Sequence, residues 1–163
     1  MTNLSYEGDS TLQIIDRYKS TVFKIAYTYC KNRSDSDDVF QEVFLRYFKK
    51  KPVFADKIHE KAWFIRVTIN CSKKLLLSSW FKKTQPLENE NLTFETAEQS
   101  ELFYAVLDLP LKYRAVVHLY YYEDYTIKEI AELTAQKETT VATQLQRARQ
   151  LLKTRLKEEL LYD

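Results

Sequence analysis

The chain has 163 residues, a formal net charge of +2, one glycine, three prolines and 45% hydrophobic residues. That apolar fraction excludes wholesale disorder, and the length holds one ordinary domain or two small ones. So few chain breakers argue for an all-α protein, and so small a net charge leaves any nucleic-acid partner to be argued from local charge.

The first ten residues, MTNLSYEGDS, lack a basic segment followed by an apolar one, so no secretory signal is expected. No apolar run approaches the ~18 residues of a membrane span, and a cytoplasmic location is the expectation. Cys30 and Cys71 fall inside apolar helical patterns and outside any paired-ligand spacing. Two buried thiols and no metal site follow. Nothing with the spacing of a nucleophile triad, a phosphate loop or a metal cluster is present, which speaks against an enzyme and implies no cofactor.

In chain order, the first helical pattern covers residues 11–31, where Leu12, Ile15, Tyr18, Val22, Ile25 and Tyr29 recur at steps of three and four. Lys31, Asn32 and Arg33 end it with basic groups where the helix dipole favours them. Ser34 is expected to start the second helix, with Asp37 at the capping-box position. Phe40, Val43, Phe44, Tyr47 and Phe48 form its core face, while Gln41, Glu42, Leu45 and Arg46 point elsewhere. An aliphatic Leu45 on a polar face is either a scattered surface residue or the mark of a partner site. Lys49–Lys51 and Pro52 stop this helix, and a loop from Val53 to His59 carries Phe54.

Glu60 to Leu77 is the third helix. Phe64, Val67, Cys71 and Leu75 cover one side, and Ala62, Ile65, Ile69 and Leu76 another. A helix apolar on most of its circumference is central to its domain. Its one polar stripe is Arg66, Asn70, Lys73 and Lys74, bordered by Trp63. Cations and an amide beside an aromatic suit single-stranded nucleic acid, while a seam of snorkelling cations is an equal alternative. Residues 84–100, with Pro86 and scattered Glu, read as an acidic linker.

Leu102, Tyr104, Ala105 and Leu107 open a second domain, and Pro110 stands at a helix start. Leu111, Ala115, Val116, Leu119 and Tyr120 keep helical spacing up to Glu123 and Asp124. His118, without a partner ligand in sequence reach, reads as a packing or surface residue. Thr126 and Glu129 have capping-box spacing, with Ile127, Ile130 and Ala131 behind them. Val141, Leu145, Ala148 and Leu152 form an apolar stripe, opposite which lie Thr139, Thr143, Gln146, Arg147 and Gln150, with Thr140 beside them. Hydroxyls, amides and a guanidinium are the groups that meet base edges and phosphates in a major groove. The pattern is a helix-turn-helix with 137–152 as the recognition helix. A surface helical hairpin with a merely solvated face is the plainer alternative.

Three stretches resemble one family. Asp35-Ser36-Asp37-Asp38-Val39-Phe40-Gln41-Glu42-Val43-Phe44 and Ala62-Trp63-Phe64-Ile65-Arg66-Val67-Thr68-Ile69-Asn70 are similar to two helices of bacterial sigma factors. Leu109-Pro110, Lys112-Tyr113-Arg114, Tyr122-Glu123, Ile127 to Glu132 and Arg147-Ala148-Arg149 resemble their promoter-reading C-terminal domain. Order and short linker match the extracytoplasmic-function group. The resemblance implies two helical domains, 1–83 and 101–163, around the linker 84–100. It implies docking of Asp38, Gln41, Glu42 and Leu45 on the beta-prime clamp helices of core RNA polymerase, with the beta flap as a further contact. Phe54, Lys61, Arg66, Asn70, Lys73 and Lys74 would meet the melted minus-10 strand. Thr139, Thr140, Thr143, Gln146, Arg147 and Gln150 would meet minus-35 promoter DNA, and an anti-sigma factor is a candidate further partner.

The chain departs from the family at the turn. Ala135 stands for the usual Gly, Gln136 for an apolar residue, and Lys137 for a Ser cap, a role a lysine cannot fill. Ala142 and Gln144 stand where basic residues are common, so arginines at both are expected to strengthen DNA binding. An operator-binding regulator and a helical adaptor without DNA contact are the rival readings.

Overall fold

The computed structural model describes residues 10–78 and 97–162, with no side-chain description for 97–100 and 158–162. The described residues hold seven α-helices: α1 Thr11–Cys30, α2 Arg33–Lys50, α3 Lys57–Ser78, α4 Ala97–Leu107, α5 Leu111–Val117, α6 Ile127–Thr134 and α7 Glu138–Tyr162. The chain divides into two compact units, Met1–Thr84 and Gln85–Asp163. No helix among the described residues is long and apolar enough to cross a membrane. Most of the acidic stretch read as a linker lies outside the described residues, while its end from Ala97 is already the start of α4.

In the N-terminal unit α1, α2 and α3 pack against one another. Ser10 caps α1 in a capping box: its hydroxyl accepts from the Gln13 N–H, and the Gln13 side chain accepts from the Ser10 N–H at 2.8 Å. The buried stripe of α1 starts from Ile14 and continues through Tyr18, Val22, Ile25 and Tyr29. Leu12, expected inside, is 74% exposed, and Ile15 is half-buried. The four-residue step from Ile14 to Tyr18 keeps the stripe straight, and two steps of three from Leu12 would rotate off it. Asn32, not Ser34, caps α2: its side-chain oxygen accepts from the Asp35 N–H at 2.8 Å. Arg33 is therefore the first residue of α2 rather than a basic terminus of α1, and Lys31 ends α1 in a left-handed conformation at φ 63°.

The loop after α2 is shorter than its sequence suggests, because α3 begins at Lys57. Asp56 explains the early start: its carboxylate accepts from the His59 N–H at 2.9 Å and sits 2.7 Å from His59 Nδ1. Phe64 of α3, fully buried, is the centre of the core. Tyr18 stacks on it at 4.3 Å, and Phe44, Tyr47 and Trp63 meet it at tilted or edge angles between 5.0 and 5.5 Å. These are the offset and edge geometries that aromatic rings prefer. Cys30 and Cys71 are free and buried, and burial pushes the Cys71 thiol above its ordinary range.

Sequence periodicity gives no sign of one buried group. Glu60, in the first turn of α3, is 1% exposed. Its Oε1 accepts from Tyr18 Oη at 2.5 Å and from Arg17 Nη1 at 3.0 Å. A carboxylate survives there because both partners come from one turn of α1, tying the start of α3 to it.

In the C-terminal unit α7 packs on α4, α5 and α6. Leu102 and Tyr104 of α4 remain partly exposed, and Ala105 and Leu107 are buried. Pro110 precedes α5 with its carbonyl accepting from Tyr113 and Arg114 N–H groups, the use of proline at a helix start. The regular spacing expected up to Glu123 is interrupted: His118–Tyr122 forms a π-helical turn, closed by the Glu123 N–H on the His118 carbonyl at 3.2 Å. The wider turn carries Tyr121 and Tyr122 outward, each about half exposed. His118 is a packing residue, buried and stacked on Tyr122 with centroids 5.4 Å apart. Thr126 and Glu129 form the expected capping box on α6.

Candidate functional site

The second helix presents its candidate partner residues together. Asp38, Gln41, Glu42 and Leu45 are all exposed, Leu45 to 52%. Val39, Val43 and Phe44 hold the opposite face in the core, so Leu45 cannot turn inward without moving them. Glu42 pairs with Arg46 at 3.0 Å one turn on, an exposed pair that holds geometry more than it adds stability.

On α3 the expected stripe is intact: Arg66, Asn70, Lys73 and Lys74 are all exposed along one line. Ile65, Ile69 and Cys71 fill the buried sides, which leaves these four the only direction available to them. Lys61 is half-buried at the head of the same helix. Phe54 lies half-buried, 6.0 Å from Trp63 and edge-on to it. Trp63 has two duties, since it also meets Tyr47 and Phe64. Val53, next to Phe54 in the chain, and Ile58, in the first turn of α3, are 87% and 72% exposed and are absent from the sequence-derived site. Their apolar character beside lysines was the available signal. Exposed apolar groups and cations are the types suited to unstacked bases on a charged backbone.

In the C-terminal unit Thr139, Thr140, Thr143, Gln146, Arg147 and Gln150 are exposed on α7, and Val141, Leu145 and Ala148 are buried behind them. Thr143 Oγ1 donates to the Thr139 carbonyl at 2.9 Å, so toward a ligand it can only accept. A cleft of about 310 Å³ is lined by Lys112, Tyr113, Thr139, Thr140, Thr143, Gln144 and Arg147. Lys112, 5.1 Å from the Tyr113 ring centroid, is a second cation that the sequence-derived site lacks. It comes from α5, and helical periodicity within α7 carries no trace of it. Arg149 is not on this face: it donates to Tyr121 Oη at 2.5 Å and lies within 6 Å of the Tyr120 and Tyr121 rings.

The turn keeps its geometry despite its composition. Ala135 adopts φ 55°, ψ 45°, the left-handed conformation for which glycine is usual. Its neighbour's N–H reaches back to the Ala131 carbonyl at 2.9 Å, which completes the Schellman-type end of α6. Lys137 supplies its backbone carbonyl to the Val141 N–H at 3.1 Å. Gln136, in place of an apolar residue, donates through Nε2 to Thr134 Oγ1 and accepts from Gln144 Nε2 at 2.8 Å. Gln144 is thus only 8% exposed and committed to the turn. The expectation that arginine at both Ala142 and Gln144 would add phosphate contacts is corrected here: Ala142 is exposed, but a cation at 144 would be buried against the turn.

Comparisons with known proteins follow the same division. Residues 14–81 match the family described as "Sigma-70 region 2", and residues 100–152 match "Sigma-70, region 4". RNA polymerase sigma factor SigV of Bacillus subtilis is 26% identical, covering 89% of this chain and 90% of its own. The extracytoplasmic-function (ECF) RNA polymerase sigma factor SigW of the same organism is 22% identical, covering 93% and 91%. Among solved structures, the sigma factor RpoE in complex with the anti-sigma factor NepR from Bartonella quintana matches in fold with a TM-score of 0.74. That match has 15% identity and covers 89% of this chain and 95% of that one. The two matched regions in this order, on an all-helical two-unit fold, place the chain: it belongs to the extracytoplasmic-function group of sigma factors, the alternative sigma factors that direct promoter-specific transcription.

Proposed function

We propose that the three outward faces divide the work of initiation. The α2 face of Asp38, Gln41, Glu42 and Leu45 docks on the beta-prime clamp helices of core RNA polymerase, and the C-terminal unit meets the beta flap. The α3 stripe of Arg66, Asn70, Lys73 and Lys74, with Phe54 and Lys61, holds the melted minus-10 strand. The α7 face of Thr139, Thr140, Thr143, Gln146, Arg147 and Gln150 reads the minus-35 element. The observation that carries this reading is that each face is exposed, with Phe54 and Lys61 half-buried beside the second, over a side packed in the core: Val39, Val43 and Phe44 on α2, Ile65, Ile69 and Cys71 on α3, and Val141, Leu145 and Ala148 on α7. Phosphates are met by cations on α3 and α7, and base edges by the amides and the guanidinium. The work takes place in the cytoplasm, where polymerase acts. An anti-sigma factor is a fitting further partner, since the fold neighbour RpoE was solved bound to one.

The docking face is tested by Leu45→Glu. Its side chain is half in solvent, so the substitution should leave helix content unchanged while abolishing co-purification with core polymerase and run-off transcription from a genomic promoter library. Normal co-purification of a folded Leu45→Glu protein refutes the docking assignment.

A further inference from the structure

The turn of the C-terminal unit holds a hydrogen-bond relay whose direction follows from its first member. Thr134 Oγ1 donates its one hydrogen to the Ile130 carbonyl at 2.7 Å, so the oxygen is left only as an acceptor. Gln136 must then turn its NH2 toward it, and does so at 2.9 Å. That leaves Gln136 Oε1 facing Gln144, which must present its own NH2, at 2.8 Å. The relay ends on Gln144 Oε1, which is buried and has no hydrogen-bond partner among the described residues. An unmet buried acceptor is costly, and retaining one asks for a donor that arrives later.

The donor stands on the same cleft. Arg147 lies three residues on from Gln144, the spacing of side-chain neighbours on one helix face, and both line the cleft beneath α5. A guanidinium carries five N–H donors, so one bond to Gln144 leaves enough for a two-bond contact with a guanine edge. A base contact needs the planar fork held in one orientation, which neutralising a phosphate does not. We infer that Gln144 is a positioning residue for promoter reading: its amide oxygen, aimed by the Thr134–Gln136 relay, orients the Arg147 guanidinium toward a base pair of the minus-35 element. The inference rests on the reading of α7 as the helix that enters the groove, and it deepens that reading by assigning Arg147 to a base rather than to the backbone.

The test uses the full chain assembled with core RNA polymerase. Holoenzyme selects from promoter duplexes randomised over the minus-35 region, and base preference at each position is read by sequencing, beside affinity for an unrelated duplex. Arg147→Ala should flatten preference at one base pair by roughly 5- to 150-fold, the range for a lost two-bond base contact. Gln144→Met keeps length and apolar packing but deletes the acceptor. It should flatten the same base pair by roughly 3-fold or more, leave the unrelated duplex unaffected, and add nothing to Arg147→Ala. Gln136→Glu still accepts from Gln144 and so keeps the Gln144 amide in its orientation, so its base preference should survive even where thermal stability falls. Full preference in Gln144→Met, an equal loss on all duplexes, or a loss in Gln136→Glu matching that of Gln144→Met overturns the assignment. Unaltered preference at every position in Arg147→Ala overturns the groove reading itself and the inference with it, so the two failures are told apart.

Discussion

The two units bury polar side chains where their helices meet, and they satisfy them differently. In the N-terminal unit the group is a carboxylate, Glu60, held by a tyrosine hydroxyl and a guanidinium from adjacent residues of α1. In the C-terminal unit it is a neutral amide, Gln144, held at one end only, by the relay that starts at Thr134. A charge taken out of water must be met fully or the helix that carries it leaves the core. An amide with one open end is tolerated at a smaller cost. The first arrangement locks two helices of a core together. The second lies beside the face proposed to read DNA, where an unspent acceptor still has a use.

That contrast is most easily broken at Glu60. Glu60→Ala deprives Tyr18 and Arg17 of their common acceptor and should cost about 2–4 kcal/mol in urea unfolding, less than a fully buried pair because Arg17 keeps contact with water. A loss confined to a few tenths would show that the carboxylate is a passenger. The C-terminal unit should shift the other way at its turn. Ala135→Gly relieves the left-handed strain at φ 55° and should stabilise that unit by about 1 kcal/mol, set against the freedom glycine adds to the unfolded chain. Hydrogen exchange on α6 and α7 would report it without interference from the other unit. The smallest effect separates the units under alkali. Burial, then the charges of Glu123 and Glu129, push the Tyr125 phenol up to about 12, and burial with the Glu60 hydrogen bond raises Tyr18. A raised phenol favours the folded state fully below its unfolded value of about 10, and that contribution is lost as pH climbs from there toward the folded value. Tyr125→Phe should therefore flatten the alkaline loss of the C-terminal melting transition and leave that of the N-terminal unit unchanged.

What could be seen in the sequence was whatever repeats along one helix. Arg66, Asn70, Lys73 and Lys74, and Thr139, Thr143, Gln146, Arg147 and Gln150, are exposed because the apolar residues of the same helices, Ile65, Ile69 and Cys71 on α3 and Val141, Leu145 and Ala148 on α7, are buried behind them. Caps chosen by local chemistry were half visible. The Thr126 and Glu129 box is legible, but Asn32 and Ser34 are both capping residues, two apart, and only the left-handed backbone of Lys31 decides for Asn32. What failed to show was whatever needs two elements at once. Glu60 looks like a solvent-facing first-turn acid, Gln144 like a position for a cation, and Lys112 belongs to a different helix from the cleft wall it shares.

By itself, then, the sequence determined the helical class and, Leu12 apart, most of the side of each helix that meets solvent, because few chain breakers and side-chain hydrophobicity at a 3.6-residue period settle those without reference to neighbours, while the order of the two regions was legible only through the motifs that resemble a known family. Tertiary structure alone decided that Glu60 is internal, that the π-helical turn carries Tyr121 and Tyr122 outward, and that Gln136 and Gln144 are one connected pair. Each of these depends on a hydrogen bond or a packing partner at a sequence separation that periodicity does not record. The amide relay exists only because the left-handed Ala135 folds α7 back until residue 144 stands against residue 136.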